Sequence, residues 1–152
     1  MKIVSLSVIY SDDLVGGYSE ENEFEILSGL GHYSETLSGL TFNVSPFAFF
    51  QVNTPVFEKI LNEISNFAKI DQNTVLLDVC CGTGAIGLCL SKNAKKVIGI
   101  DIISAAIENA KKNIELNEGL LDKSKLEFYA GRAEDLLPSI VNRESQSIQK
   151  DL

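Results

Sequence analysis

Apolar and polar residues alternate through Tyr33 to Val44 on either side of Ser38-Gly39, and this period of two predicts a β-hairpin. Upstream, Ile3 to Tyr10 is β-branched and apolar and predicts a strand, followed by an acidic, glycine-containing loop from Ser11 to Glu23. Downstream the period changes. Val56, Phe57, Ile60, Leu61, Ile64 and Phe67 recur at helical spacing behind Thr54-Pro55, with Thr54 as the expected N-cap. From residue 74 strand and helix alternate over Val75 to Val79, Ala85 to Leu90, Lys96 to Ile100, Ser104 to Asn117 and Leu126 to Tyr129, which predicts an α/β fold with a parallel sheet. The residues after Pro138 are polar and aperiodic and predict a frayed end. The expected division is a β-rich N-terminal segment over 1–53, an α/β core over 54–140 and a disordered tail over 141–152.

Length and composition fit one globular domain, with 152 residues and 45% apolar content. The net charge of -8 and pI near 4.6 are the wrong sign for a surface that neutralises phosphates. DNA is not expected as a partner, and any RNA would be gripped mostly by other residues. Cys80, Cys81 and Cys89 have neither metal-ligand spacing nor the pattern of a disulfide framework, so no metal is expected and a reducing intracellular compartment fits best, cytoplasmic or nuclear, with the mitochondrion open. The first apolar run is too short for a signal peptide, Asp12-Asp13 follow it, and no stretch is long enough to span a membrane.

The candidate chemistry lies in Val75-Leu-Leu-Asp-Val-Cys-Cys-Gly-Thr-Gly-Ala-Ile-Gly, a hydrophobic strand running straight into a glycine turn that opens a helix. Gly82 and Gly84 permit close backbone approach to a ligand, and Asp101 ends the next strand about 20 residues on, where a carboxylate can accept ribose hydroxyls. Gly82, Gly84 and Gly87 also satisfy G-x-G-x-x-G, so a nicotinamide or flavin dinucleotide is the alternative ligand. Asp78 at the strand end argues against it, because a carboxylate there suits a cofactor with a cationic ammonium and sulfonium and repels a pyrophosphate. Phe47, Phe49 and Phe50 are expected to pack the core rather than to form a stacking platform, and His32 to belong to the hairpin.

Asp78-Val-Cys-Cys-Gly-Thr-Gly-Ala-Ile-Gly-Leu resembles the cofactor loop of RNA uracil-5-methyltransferases, and Phe42-Asn-Val-Ser-Pro-Phe-Ala-Phe-Phe-Gln-Val-Asn-Thr resembles the segment preceding their core. Val97-Ile-Gly-Ile-Asp and Phe128-Tyr-Ala-Gly-Arg-Ala-Glu-Asp-Leu-Leu-Pro agree in order and spacing. The Cys80-Cys81-Gly82-Thr83-Gly84 wording is similar to the eukaryotic branch that makes 5-methyluridine in the T-loop of tRNA. The resemblance covers roughly Leu37 to Pro138. It implies a partial class I methyltransferase fold, a Rossmann-like parallel sheet preceded by a small hairpin segment, with S-adenosyl-L-methionine as cofactor and tRNA as partner. It also implies a cofactor contact for Gln51, a place for Cys80 beneath the ligand, a ribose contact for Asp101 where the family generally carries Glu, and a position near the adenine for Arg132 or Ala133. In the family a cysteine attacks C6 of uracil, C5 takes the methyl group and a carboxylate removes the C5 proton. The chain ends before the Asp-Pro-Pro strand, the nucleophilic cysteine and the base that the resemblance implies. The expectation is therefore a cofactor half with no catalytic residue of its own, inactive alone, with Val75 to Val79 left as an open apolar edge; the alternative is a non-catalytic truncated isoform that binds S-adenosylmethionine or a protein.

Overall fold

A computed structural model describes residues 3–10, 23–46 and 48–150. The loop expected from Ser11 to Glu23 falls outside them, except Glu23, which opens a strand. Strands β1 (Ser5–Tyr10) and β2 (Glu23–Gly29) pair antiparallel. β3 (Tyr33–Leu37) and β4 (Leu40–Val44) form the expected hairpin, in register Tyr33 to Val44 through Leu37 to Leu40. Ser38 (φ 51) and Gly39 (φ 77) both take the left-handed conformation, as a two-residue turn matched to strand twist requires.

Helix α1 (Thr54–Ala68) follows. Its N-cap is Asn53 rather than Thr54: Asn53 Oδ1 accepts the Val56 amide at 3.2 Å, and Thr54-Pro55 form the first turn. Phe57 and Leu61 are buried, each contributing roughly 1.5–3 kcal/mol by leaving water. Phe67, expected on the same stripe, is 94% exposed at the end of the helix, past the surface that α1 covers.

The remainder is strand and helix in turn: β5 (Val75–Val79), α2 (Ala85–Leu90), β6 (Lys96–Asp101), α3 (Ser104–Leu116), β7 (Leu126–Ala130) and α4 (Ala133–Lys150). The three strands form a parallel sheet in the order β5-β6-β7. Among the described residues β5 pairs on one side only, so it is the open edge that the sequence predicts. Alternation sends Leu76, Phe128 and Leu126 into a core shared with α1, α3 and the hairpin, and Ile98, Ile100, Leu77 and Tyr129 into a second core under α4. Gly99 faces Phe128 so closely that a Cβ there would lie 2.4 Å from its ring.

The expected frayed tail is helical through Lys150. Pro138 lies inside α4, where it removes one backbone donor. The helix persists across it because Leu136, Leu137 and Ile140 pack on the sheet, and because two ion pairs anchor the following turn. Glu144 accepts Lys96 Nζ at 2.9 Å, and Arg143 Nη2 reaches Glu127 at 2.6 Å.

Candidate functional site

Parallel pairing brings the carboxyl ends of β5 and β6 side by side, where α/β sheets commonly take their ligands. A cavity of about 830 Å³ opens there, within the range of small-molecule sites. Three segments wall it. One is the connection from hairpin to α1, with Ala48, Phe49, Phe50 and Gln51; the second is the loop after β5, with Cys80, Cys81, Gly82 and Thr83; the third follows β6, with Asp101, Ile103, Ser104 and Asn109.

Asp101 joins two of these walls. Its Oδ2 accepts the Gly82 amide at 2.8 Å and its Oδ1 accepts the Ile103 amide at 2.9 Å. The loop is tied down a second time by the Cys81 amide, which donates to the Ile100 carbonyl at 3.0 Å. An ionised carboxylate offers about four acceptor positions, so one on each oxygen remains for a ligand hydroxyl. Cys80 holds the left-handed conformation (φ 61), uncommon for a side chain with a Cβ, at the point where the strand turns into the loop.

Of the residues expected to bind cofactor, Gln51, Cys80, Gly82 and Asp101 meet on this cavity. Gly82 is open, with nothing within 4 Å of an added Cβ. Gly84 is set back from it: it caps α2 at φ 80, and a Cβ would press on Phe128 at 3.0 Å and Ala110 at 3.2 Å, so this glycine makes room for α3 and β7. Asp78 lies beneath the loop, 8% exposed, where Oδ2 accepts the Gly87 amide at 2.8 Å. A Cβ on Gly87 would approach Val97 at 2.9 Å and that same carboxylate at 3.0 Å, so the third glycine serves strand-helix contact. Arg132 is outside the cavity, paired with Glu134 and 3.9 Å from Asp135, and Ala133 faces the second core under α4. The three phenylalanines separate. Phe50 is buried, its ring centroid 5.6 Å from that of Phe42, as expected; Phe49 is 79% exposed on the cavity wall, against the expectation of core packing; Phe47 falls outside the described residues.

Residues 70–148 match the family described as Methyltransferase domain. The chain belongs to that family. The chain is 50% identical over 109 residues to human tRNA (uracil-5-)-methyltransferase homolog A, covering 72% of this chain and 17% of that protein. It is 40% identical to homolog B from Danio rerio, covering 80% of this chain and 25% of that one. The Pyrococcus abyssi tRNA (uracil-54, C5)-methyltransferase, solved in complex with S-adenosyl-L-homocysteine, superposes with a TM-score of 0.63 at 26% identity, covering 83% of this chain and 30% of that one. The chain thus spans less than a third of each of these relatives, and within that span the fold is the Rossmann-like methyltransferase sheet.

The electrostatics of the domain follow from burial. Burial, with the Gly87 amide opposing it, raises the Asp78 carboxyl above its ordinary range, and Asp101 adds a like charge. Burial, then the charges of Asp78 and Asp101, push the Cys81 thiol up to about 12. Cys89, on α2 with its Sγ 3.7 Å from the Leu37 carbonyl, is likewise pushed up to about 12, chiefly by burial. No lysine or arginine lines the cavity among the described residues. Thr83, read in the sequence only as part of the glycine-loop motif, lines the site, and Ile103 and Asn109 join it without having been singled out. Of those two, Ile103 carried a signal, standing two residues past the strand-ending acid.

Proposed function

We propose that this domain binds S-adenosyl-L-methionine as the cofactor-holding part of a tRNA uracil-5-methyltransferase that makes 5-methyluridine in the T-loop. The observation that carries the cofactor assignment is Asp101, pinned through both oxygens to backbone amides at the cavity rim with one acceptor position per oxygen to spare. Two vicinal ribose hydroxyls fit that complement. A cavity with a carboxylate and, among the described residues, no cationic side chain also favours a ligand bearing ammonium and sulfonium over one bearing a pyrophosphate.

When bound, the cofactor supplies a methyl group on a positively charged sulfur, which leaves as a neutral thioether. The protein's part is to hold it. Asp101 takes the ribose, the backbone at Gly82 permits close approach, Gln51 offers an amide from the facing wall, and Cys80 flanks the loop. Asp78 acts from below, fixing α2 through Gly87. Phe49, Phe50 and Ile103 give the apolar surface that excludes water.

Attack on uracil requires a thiolate. Cys81 and Cys89 stay protonated at neutral pH, which supports a division of labour in which these residues hold cofactor and a different cysteine attacks the base. The acidic surface supports the same division for RNA binding. Labelled S-adenosylmethionine with tRNA lacking T-loop 5-methyluridine tests the assignment. The chain should retain label on a filter without transferring it; transfer to uracil C5 by this chain would overturn the division of labour, and no retention would overturn the cofactor assignment.

A further inference from the structure

Two asparagines are almost fully buried, Asn113 on α3 at 1% exposure and Asn117 at its C-cap at 2%, although neither lines the cavity. A carboxamide is costly to bury unless its polar groups are paired, and a leucine would fill the same space without that cost. Their partners explain them. Asn117 Oδ1 accepts the Thr41 amide at 2.8 Å and its Nδ2 donates to the Thr41 carbonyl at 2.7 Å. Asn113 Oδ1 accepts the Asn43 amide at 3.1 Å. Four residues at helical rise advance about 6 Å, and two strand residues advance about 6.6 Å. The pair therefore matches the free edge of β4 and pairs with it as a neighbouring strand would.

Asn113 does one thing more. Its Nδ2 donates to the Thr83 carbonyl at 3.2 Å, on the cofactor loop. The Gly84 amide of the same peptide group donates to the Cys81 carbonyl at 2.9 Å, so that peptide is held at both ends and its oxygen is turned away from the cavity. One side chain thus grips the loop with its nitrogen and the hairpin with its oxygen. Beyond Asn43 the chain runs directly into the wall that carries Phe49 and Gln51.

We propose that Asn113 is a positioning residue for cofactor binding: its carboxamide clamps the loop at Thr83 to the hairpin at Asn43 and so sets the spacing of two facing cavity walls. The proposal rests on the cofactor reading above for its ligand, and on the clamp alone for its geometry. Asn117, at the C-cap of the same helix, shares the burial and the hairpin, and its Nδ2 also donates to the Asn113 backbone carbonyl at 2.7 Å, but it makes no hydrogen bond to the loop, which makes it the internal control.

The experiment compares Asn113→Ala, Asn113→Asp and Asn117→Ala with the parent chain, each first shown to melt cooperatively. Asn113→Asp keeps the acceptor for Asn43 but faces the Thr83 carbonyl with a carboxylate. Amide exchange without ligand is read over residues 80–86, and S-adenosylhomocysteine affinity by calorimetry. Both Asn113 variants should speed exchange in the loop and weaken binding by roughly tenfold, the size of one lost buried hydrogen bond. Asn117→Ala should lower the melting temperature while leaving loop exchange and affinity unchanged. For Asn113→Asp, affinity should recover as pH falls and the protonated carboxyl regains a donor. Loop exchange unchanged in both Asn113 variants, or equal loss of affinity in Asn117→Ala, would overturn the clamp. A parent chain that binds no S-adenosylhomocysteine while its loop still loosens in the variants would leave the clamp standing and overturn the cofactor reading instead. Should Asn113→Asp not fold, Asn113→Ala carries both readouts.

Discussion

Asp101 and Gly82, one at the end of β6 and the other in the loop after β5, are joined by a 2.8 Å hydrogen bond from the Gly82 amide to the Asp101 carboxylate. The Ile103 amide donates to the other oxygen, so the acid shapes the loop while lining the cavity with one acceptor position to spare on each oxygen. Asp101→Ala should therefore weaken S-adenosylhomocysteine by roughly 10- to 100-fold, the loss of one or two charge-assisted hydrogen bonds, in a calorimetric titration. Asp101→Asn, which keeps one acceptor, should fall between. Equal affinity of Asp101→Ala and the parent chain would remove Asp101 from the site.

The three thiols should separate by reactivity. Cys81 and Cys89, pushed up to about 12, are almost wholly protonated at pH 8, whereas Cys80 is exposed on the cavity wall. Limited alkylation followed by peptide mass spectrometry should label Cys80 first, and S-adenosylhomocysteine should slow that labelling. Faster labelling of Cys81 would contradict the burial described for the loop.

Much of this architecture is legible along the chain where one local signal decides it. Ser38-Gly39 forces a two-residue turn, and Asp101 ends an unbroken apolar strand. The misses share a cause, since each depends on contacts between segments far apart in sequence. Nothing local says that Asn113 and Asn117 face a strand edge rather than water. Pro138 reads as a stop until Glu144 and Arg143 are seen paired with Lys96 and Glu127. Phe49 and Phe50 are adjacent, chemically identical and both on the cavity wall, and only the path of the connection decides that Phe50 is buried in the core while Phe49 stays exposed.

Asp78 should make stability depend on pH in a definite direction. Its folded-state carboxyl is raised by burial, so ionising it costs stability above the ordinary carboxylate range, and that cost vanishes as pH falls below it. Asp78→Asn retains an acceptor for Gly87 without the charge. It should raise the melting temperature at pH 7 to 8 and lose that advantage near pH 3. A variant less stable than the parent at both pH values would show that the charge itself is needed.

The ion pairs under α4 act in the opposite sense. Burial alone would raise Glu127, but hydrogen bonds from Lys96, Tyr129 and Arg143 outweigh it and hold the carboxyl at about 2, below its ordinary 4.5. The stability it contributes is present above that ordinary value and is lost as pH falls toward 2. The side chain is 30% exposed, so Glu127→Gln should cost only about 1 kcal/mol at pH 7, and the difference from the parent should shrink in acid. Thermal melts from pH 7 to pH 2 read both; an undiminished difference at pH 2 would contradict the network.

The central claim is that these residues form a site for S-adenosylmethionine, and titrating the chain with S-adenosylhomocysteine and, separately, with NADH tests it most directly. Saturable binding of S-adenosylhomocysteine at one site per chain, weakened roughly 10- to 100-fold in Asp101→Ala, with no heat from NADH, is the predicted result. Binding of NADH in preference to S-adenosylhomocysteine, or of neither, would contradict it.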